Sequence, residues 1–401
     1  MTAVFLSPLY ILANAYLLWR LLGWLGACCK YFYKKRARVP VILLYLFFSL
    51  AILAGFLLPA GKPQRFFKLI GNYWLGVLLY ALPLVLLADL GGLIFRIRAE
   101  KAGRTFKNPR IFRVTGAVCV LLVLCVTLYG AANARIIRTT PYEITVNKDG
   151  GNLDSLNVVL AADLHLGYNI GCRHMERMVK QINAQNPDLV VFAGDIFDNQ
   201  YEALDNPDRL ISILQDIEST YGVYACYGNH DIEEAILAGF TFSGNGEKKE
   251  SAPEMDAFLE AAGITLLQDE AVLIDDSFYL YGRPDMAKPG RGIDVRKTPE
   301  EITAGLDLTK PILVLDHEPA QLSELEEAGA DVVLGGHTHD GQVFPVNLIT
   351  NLIWENSYGC LRKGDMYSIV TSGVGLFGPN MRVGTIAEIC PITIHFQANA
   401  S

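Results

Sequence analysis

The chain has 401 residues, 51% of them hydrophobic, and a formal net charge of −8, with a mean hydropathy of +0.26 that is high for a water-soluble protein and excludes a disordered one. The charge is unevenly divided: residues 1–140 carry 18 Lys+Arg and only two acids, Asp89 and Glu100, a net of +16, and the remainder carries a net of −24. Length alone suggests two or three domains at about 150 residues each, the charge split excludes one uniform soluble domain, and the acidic part makes a poor nucleic-acid binder.

Four apolar stretches come first, residues 3–27, 40–60, 69–95 and 114–134. Each reaches the roughly 20 residues that a spanning helix needs, so residues 1–138 read as a four-helix transmembrane region. A cleaved signal peptide is the competing reading of the first stretch, which lacks a basic n-region and runs directly into further spans. Lys30, Lys34, Lys35, Arg36 and Arg38 follow the first stretch, and Arg96, Arg98, Lys101, Arg104, Lys107, Arg110 and Arg113 follow the third. The second loop holds Lys62, Arg65 and Lys68. Positive loops stay cytoplasmic, so loops one and three are expected inside and the acidic C-terminal part on the extracytoplasmic side of a cell membrane. Asp89 lies within the third stretch. Its expected role is an ion pair with Arg96 or Arg98 rather than a transport pathway, and Pro83 is expected to kink that helix. The eight cysteines show no CxxC pair and call for no disulfide.

Residues 139–150 read as a linker and 151–401 as a second domain. Within it, NVVLAAD (157–163), DLVVFAGD (188–195), YGVYACYGN (221–229), ILVLDHE (312–318) and DVVLGGHTH (331–339) are apolar runs that end in polar residues. Helices are expected at 174–185 and 207–218. Continuous Val/Leu-rich strands alternating with helices point to an α/β domain with strands buried on both faces. YSIVTSG (367–373) and AEICPITIHF (387–396) look like antiparallel strands. In α/β sheets ligands gather beyond the carboxyl ends of the strands.

Those ends carry the chemistry. They deliver Asp163 and His165, Asp195, Asn229 and His230, His317, then His337 and His339. The period of two in a strand would point Asp163 and His165 the same way. Singly, each motif is an ordinary turn or surface group; five of the seven histidines at successive strand ends are not. Asp, Asn and imidazole suit Mn, Fe or Zn rather than a thiolate-loving metal. Seven ligands are too many for one ion. Two ions sharing a carboxylate can activate a bridging water and clamp a phosphoryl oxygen, and an uncoordinated His would protonate the leaving oxygen.

The set DLH, GDIFD, GNHD, DHE and GGHTH resembles the calcineurin-like metallophosphoesterases, over roughly residues 155–397. The resemblance implies a four-layer α/β/β/α sandwich and a binuclear centre. Asp163, His165 and His339 would hold one divalent ion; Asn229, His317 and His337 would hold the other; Asp195 would bridge them. His230 would be the proton donor, oriented by Asp231. MVKQINAQNPDLVVFAGDIFD (178–198), GGHTHDGQVFP (335–345) and SGVGLFGPNMRVGTIAEI (372–389) resemble the membrane-anchored branch, whose bacterial members include relatives of the UDP-diacylglucosamine pyrophosphatases. The protein Ser/Thr phosphatases place Arg-Gly after the second aspartate, whereas Asp198 is followed by Asn199 and Gln200, which speaks against a phosphoprotein substrate. Arg283, in YGRPD, is either a phosphate contact or a surface residue. The function expected is a membrane-anchored phosphoesterase that acts on a phosphate ester or pyrophosphate, lipid-linked ones included, by a metal-activated hydroxide. The alternatives are a non-catalytic docking module or sensor using the same fold, or a four-helix transporter or sensor with the phosphoesterase as an accessory. Leu237, Phe240, Ile353 and Trp354 are candidates for a lipid-facing rim.

Overall fold

The structure is a computed structural model that describes residues 2–59, 61–103, 108–234, 236–237, 240–241 and 252–397. The chain divides into two compact units. The first is built on four long helices, α1 (Thr2–Cys28), α2 (Lys35–Leu57), α3 (Lys62–Lys101) and α4 (Pro109–Asn133). Each is long and apolar enough to cross a membrane. Leu43, Leu44, Leu87, Leu121 and Leu128 remain exposed on them, as expected of helices that are apolar all round and meet lipid.

At 40 residues and 1.5 Å per residue, α3 runs about 60 Å, twice the thickness of a hydrocarbon core. It absorbs residues that the sequence suggested were loop: Lys62, Arg65 and Lys68 lie in its opening turns, and Arg96, Arg98 and Lys101 in its last ones. Pro83 also lies inside it. Asp89 does not pair with Arg96 or Arg98. It accepts a hydrogen bond from Tyr16 at 2.6 Å and pairs with Arg20, both on α1. Arg96 is two turns further along α3, about 10 Å away along the axis, and pairs with Glu100 instead. Arg104 and Lys107 lie outside the described residues.

The second unit carries two sheets. β1 (Ile137–Thr139), β2 (Tyr142–Val146), β3 (Ser155–Ala161), β4 (Leu189–Ala193) and β5 (Val223–Cys226) open the first. β6 (Ile236–Leu237) and β7 (Phe240–Thr241) form a hairpin that groups with the helical unit. β8 (Ile264–Leu266) completes one edge of the first sheet; β9 (Glu270–Ile274), β10 (Phe278–Gly282), β11 (Ile312–Leu315), β12 (Val332–Gly335), β13 (Gly359–Lys363) and β14 (Met366–Val370) make the second; β15 (Ala387–Phe396) returns to the first. Among the described residues the first sheet runs β1-β15-β3-β4-β5-β8, with β2 also on β15, and the second β13-β14-β12-β11-β10-β9.

Two expectations change here. Residues 139–150 are not a free linker: Tyr142–Val146 pairs in parallel with Ile392–Phe396, and its Ile144 and Val146 are buried while Glu143 is exposed, the alternation of a half-buried strand. β14 is not simply antiparallel. It pairs antiparallel with β13 but parallel with β12, whereas β15 is antiparallel to β3 as its sequence suggested.

Side-chain alternation builds the layers. Val159, Ala161, Val190 and Phe192 face a core shared with α5 (Cys172–Asn183), α6 (Pro207–Gln215) and α7 (Pro253–Ala261), through Met175, Leu210 and Phe258. Val158, Leu160, Leu189 and Val191 point the other way, onto Leu280, Leu313, Leu315 and Leu334 of the second sheet. The outer face of that sheet buries Tyr281, Ile312, Val314 and Val333 against α8 (Pro299–Thr303) and α9 (Leu322–Glu327). Three cores between four layers make an α/β/β/α sandwich. Each fully buried Val or Leu contributes about 1.5–3 kcal/mol, and strands apolar on both faces have no other stable place.

Candidate metal centre

The central strands of both sheets end at one rim. Asp163 and His165 follow β3, Asp195 follows β4, Asn229 and His230 follow β5, His317 follows β11, and His337 and His339 follow β12. They do not converge by the strand pleat, because each strand has ended before its polar residues begin. Asp163 (φ 53°), His165 (φ 45°), Asp195 (φ 51°), His337 (φ 71°) and His339 (φ 52°) all adopt left-handed backbone. Such conformations cost on the order of 1–3 kcal/mol each and persist where surrounding structure dictates them. The segment after β4 holds two of them: Asp163 N–H donates to Gly194 O and His165 N–H to Asp195 O, both at 3.0 Å.

The side chains bring electron-rich atoms face to face. His165 Nε2 lies 3.0 Å from His339 Nε2, which lies 3.3 Å from Asp163 Oδ1. On the other side His337 Nδ1 lies 2.9 Å from Asn229 Oδ1 and 3.3 Å from His317 Nε2. Asp195 Oδ2 stands between the two groups, 3.1 Å from His317 Nε2 and 3.7 Å from His165 Nε2. Two of the clusters that could hold a metal ion are Asp163, His165, His339 and Asp163, Asp195, His317. Imidazole nitrogens and carboxylate oxygens converging this tightly make a donor set that fits hard-to-borderline divalent ions.

One second nitrogen is held by a hydrogen bond and two face carboxylates. His317 Nδ1 donates to Ala193 O at 2.8 Å, leaving Nε2 for the centre. His337 turns Nε2 toward Glu318, 3.8 Å away, and His165 turns Nδ1 toward Asp198, 3.7 Å away. Outer partners of this kind fix tautomer and ring orientation in metal sites. Burial lowers His337 to about 3, with His317 adding to the shift, and burial with His165 and Arg382 holds His339 well below the usual histidine range. Both are therefore neutral, the form that ligates. Burial pushes His165 down as well, but Asp198, Asp195 and Asp163 outweigh it and raise the group. Burial raises Asp163 to about 6, against the pull of His317. Asp195 would rise with burial too, yet His317 and His230 outweigh that and hold it well below the carboxylate range.

Residues 156–341 match the family model described as calcineurin-like phosphoesterase. They form a calcineurin-like phosphoesterase domain. The chain is 27% identical to an uncharacterized metallophosphoesterase of Campylobacter jejuni, over 94% of each chain. It is 28% identical to a transmembrane protein with metallophosphoesterase domain from Danio rerio, over 98% of this chain and 88% of that one. It is 23% identical to the UDP-2,3-diacylglucosamine pyrophosphatase of Chlamydia trachomatis, over 59% of this chain and 82% of that one. The phosphoesterase domain is that of a metal-dependent phosphoester hydrolase.

Several residues of the phosphoesterase domain were assigned differently from sequence. Asp231 does not orient His230. Its carboxylate accepts from the backbone N–H of Phe197 at 2.8 Å and of Gly228 at 2.7 Å, so it ties two site loops together. The group on His230 Nδ1 is the Asn199 side-chain oxygen, and Asn199 Nδ2 donates to Ile232 O at 3.0 Å. Arg283 is neither a phosphate contact nor on the surface. It is fully buried and donates to Asp316 at 2.6 Å, while Arg296 holds the other carboxylate oxygen at 2.8 Å. Trp354 stands edge-on to His337, ring centroids 5.4 Å apart. The side chains of Leu237 and Phe240 lie outside the described residues.

Sequence reasoning missed Phe377, whose ring lies 4.6 Å from His230 and 5.7 Å from His165. It also missed Arg382, fully buried, with Nη2 3.4 Å from His339 Nδ1. The only signal was their place in the SGVGLFGPNMR run.

Two substitutions test how the phosphoesterase domain holds its rim. At Gly336 a Cβ would come within 2.4 Å of Asp163 Oδ2. Gly336→Ala should displace that carboxylate and weaken metal affinity roughly 10–100-fold, the usual cost of disturbing a ligand's support; a competition titration with a metal-sensitive dye reads it. Arg283→Ala leaves the buried Asp316 with half its partners. Breaking a buried pair costs about 3–5 kcal/mol, so the midpoint of thermal unfolding should fall sharply and Arg283→Lys should recover only part of the loss.

Proposed function

We propose that this chain is a membrane-anchored two-metal phosphoesterase that hydrolyses a lipid-linked phosphate ester or pyrophosphate. The observation that carries the reading is Asp195 Oδ2 facing a donor cluster on each side. On this reading Asp163, His165 and His339 hold one ion, Asn229, His317 and His337 the other, and Asp195 both. Mn, Fe and Zn all suit such donors. A bound pair supplies Lewis acidity toward a phosphoryl oxygen and an attacking water.

The chain's own groups do the rest. On this assignment His230, which also groups with His165 and Asp198, is left free of ligation, and a proton at its Nε2 would serve the leaving oxygen. Asn199 keeps the ring from turning, and Phe377 packs against it at a tilt. The four helices supply the anchor, and the relative in Chlamydia trachomatis, named for a diacylated pyrophosphate, favours a lipid-linked substrate. The basic residues after α1 and around the end of α3 favour a cytoplasmic side there, with the phosphoesterase domain extracytoplasmic.

Purified full-length chain in nanodiscs, loaded with Mn, should hydrolyse a pyrophosphate or phosphodiester carried by a lipid faster than its water-soluble analogue. Equal rates on both would remove the lipid from the proposal; no hydrolysis of any phosphate ester in the panel would remove the enzyme.

A further inference from the structure

Helix α10 (Val346–Ile353) follows the last ligand motif. Its sequence, VNLITNLI, holds no charge, and none of its eight residues is buried. Leu348, Ile349, Leu352 and Ile353 are exposed by 54%, 55%, 87% and 67%. At 100° per residue these four fall within one arc of about 140°, with Asn347, Thr350 and Asn351 on the opposite side. The polar side is the one that meets the domain. Asn351 accepts from the Ser357 hydroxyl, and Thr338, between the two candidate ligands His337 and His339, donates to Ser357 O at 2.5 Å. Gly341 admits the helix: a Cβ there would lie 2.4 Å from Asn347 N.

A surface helix of a soluble domain buries its apolar stripe and exposes its polar one. This helix leaves its apolar stripe exposed. The chain that carries it also carries four helices able to cross a membrane, so a lipid surface is the apolar phase always within reach. We propose that α10 is an interfacial docking helix, its apolar face sunk into the membrane boundary, holding the candidate metal centre at the level of lipid headgroups. A helix with a polar face and an apolar face lies in the interface plane, its apolar face buried about 5–10 Å into the headgroup boundary. The proposal rests on the membrane anchoring and not on the nature of the substrate.

The test places photoreactive p-benzoylphenylalanine at position 352 of the full chain in phosphatidylcholine nanodiscs, with position 324 on α9 as control. Illumination should give lipid adducts at 352 in at least about tenfold excess over 324. Adducts no more frequent than at 324, or adducts to a second copy of the chain, would overturn the docking role. A second arm uses Leu352→Asp. Its hydrolysis of a vesicle-borne phosphoester should fall roughly tenfold, equivalent to about 1.4 kcal/mol, with p-nitrophenyl ester hydrolysis unchanged. An equal loss on the soluble ester would mean a structural role and overturn the proposal. Lipid adducts without lipid-ester hydrolysis would leave the docking helix standing and remove the lipid-linked substrate; lipid-ester hydrolysis without adducts would do the opposite.

Discussion

Asp195→Asn is expected to lose both metal and turnover. Asp195 Oδ2 is the atom that faces His317 Nε2 and His165 Nε2 together, so on the proposed assignment its charge is shared by two ions. An amide keeps the shape but removes the charge and offers one oxygen instead of two. Each ion then loses an anionic ligand in a site that is otherwise mostly neutral imidazole. Losing several kcal/mol of transition-state stabilisation corresponds to roughly 10³-fold in rate at 1.36 kcal/mol per tenfold. Metal analysis of the purified variant should find fewer than two ions per chain at a metal concentration that fills the parent. The fold should survive, because Asp195 lies beyond β4, and the core residues Val190 and Phe192 are unchanged. Full occupancy by two ions in Asp195→Asn would show that the residue does not bridge. There is a second handle: Asp195 Oδ1 accepts from His230 N–H at 2.8 Å, so the amide also perturbs the proton donor's backbone, and Asp195→Glu separates the two effects by keeping the charge.

The sandwich was legible in the sequence wherever burial is two-sided. VVLAA, LVVF and ILVL are apolar at every position because β3, β4 and β11 lie between layers, and no surface element reads that way. The site residues were legible for a related reason: Asp163, Asp195, Asn229, His317 and His337 stand within three residues of the ends of β3, β4, β5, β11 and β12. Their convergence was not. Left-handed turns after β3, β4 and β12, and not strand alternation, aim their donors inward, and Asp and His, though enriched at positive φ, mark it far less plainly than glycine does. Long-range partners were equally invisible. Arg283 and Arg296 both reach Asp316, and Arg20 reaches Asp89 from another helix. Periodicity reports which face of an element is buried, not which distant side chain will lie against it. β2 was missed because YEITV is a short edge strand whose alternation spans five residues.

His230→Ala is expected to keep both ions and lose turnover. Asn199 settles the tautomer of the ring. Its Nδ2 is committed to Ile232 O at 3.0 Å, so Oδ1 is the atom that meets His230, and His230 must present Nδ1–H to it. Nε2 is then the only nitrogen that can exchange a proton with a leaving group. Burial lowers the ring to about 4, with Asp195 opposing the shift. An anionic phosphate ester beside the ring acts in the same sense as Asp195, favouring the protonated form, so the proton is held most firmly when substrate is bound. Positioned proton transfer contributes about 10²–10⁴-fold, and that is the expected loss in kcat. The loss should depend on the leaving group: large for an alkyl ester, whose alkoxide needs the proton, and small for a p-nitrophenyl ester, whose phenolate does not. Asn199→Ala should reproduce a milder form of the same dependence, because the ring remains but is free to turn. A loss equal across leaving groups would show that His230 shapes the site without moving a proton, and a loss of metal in His230→Ala would make it a ligand.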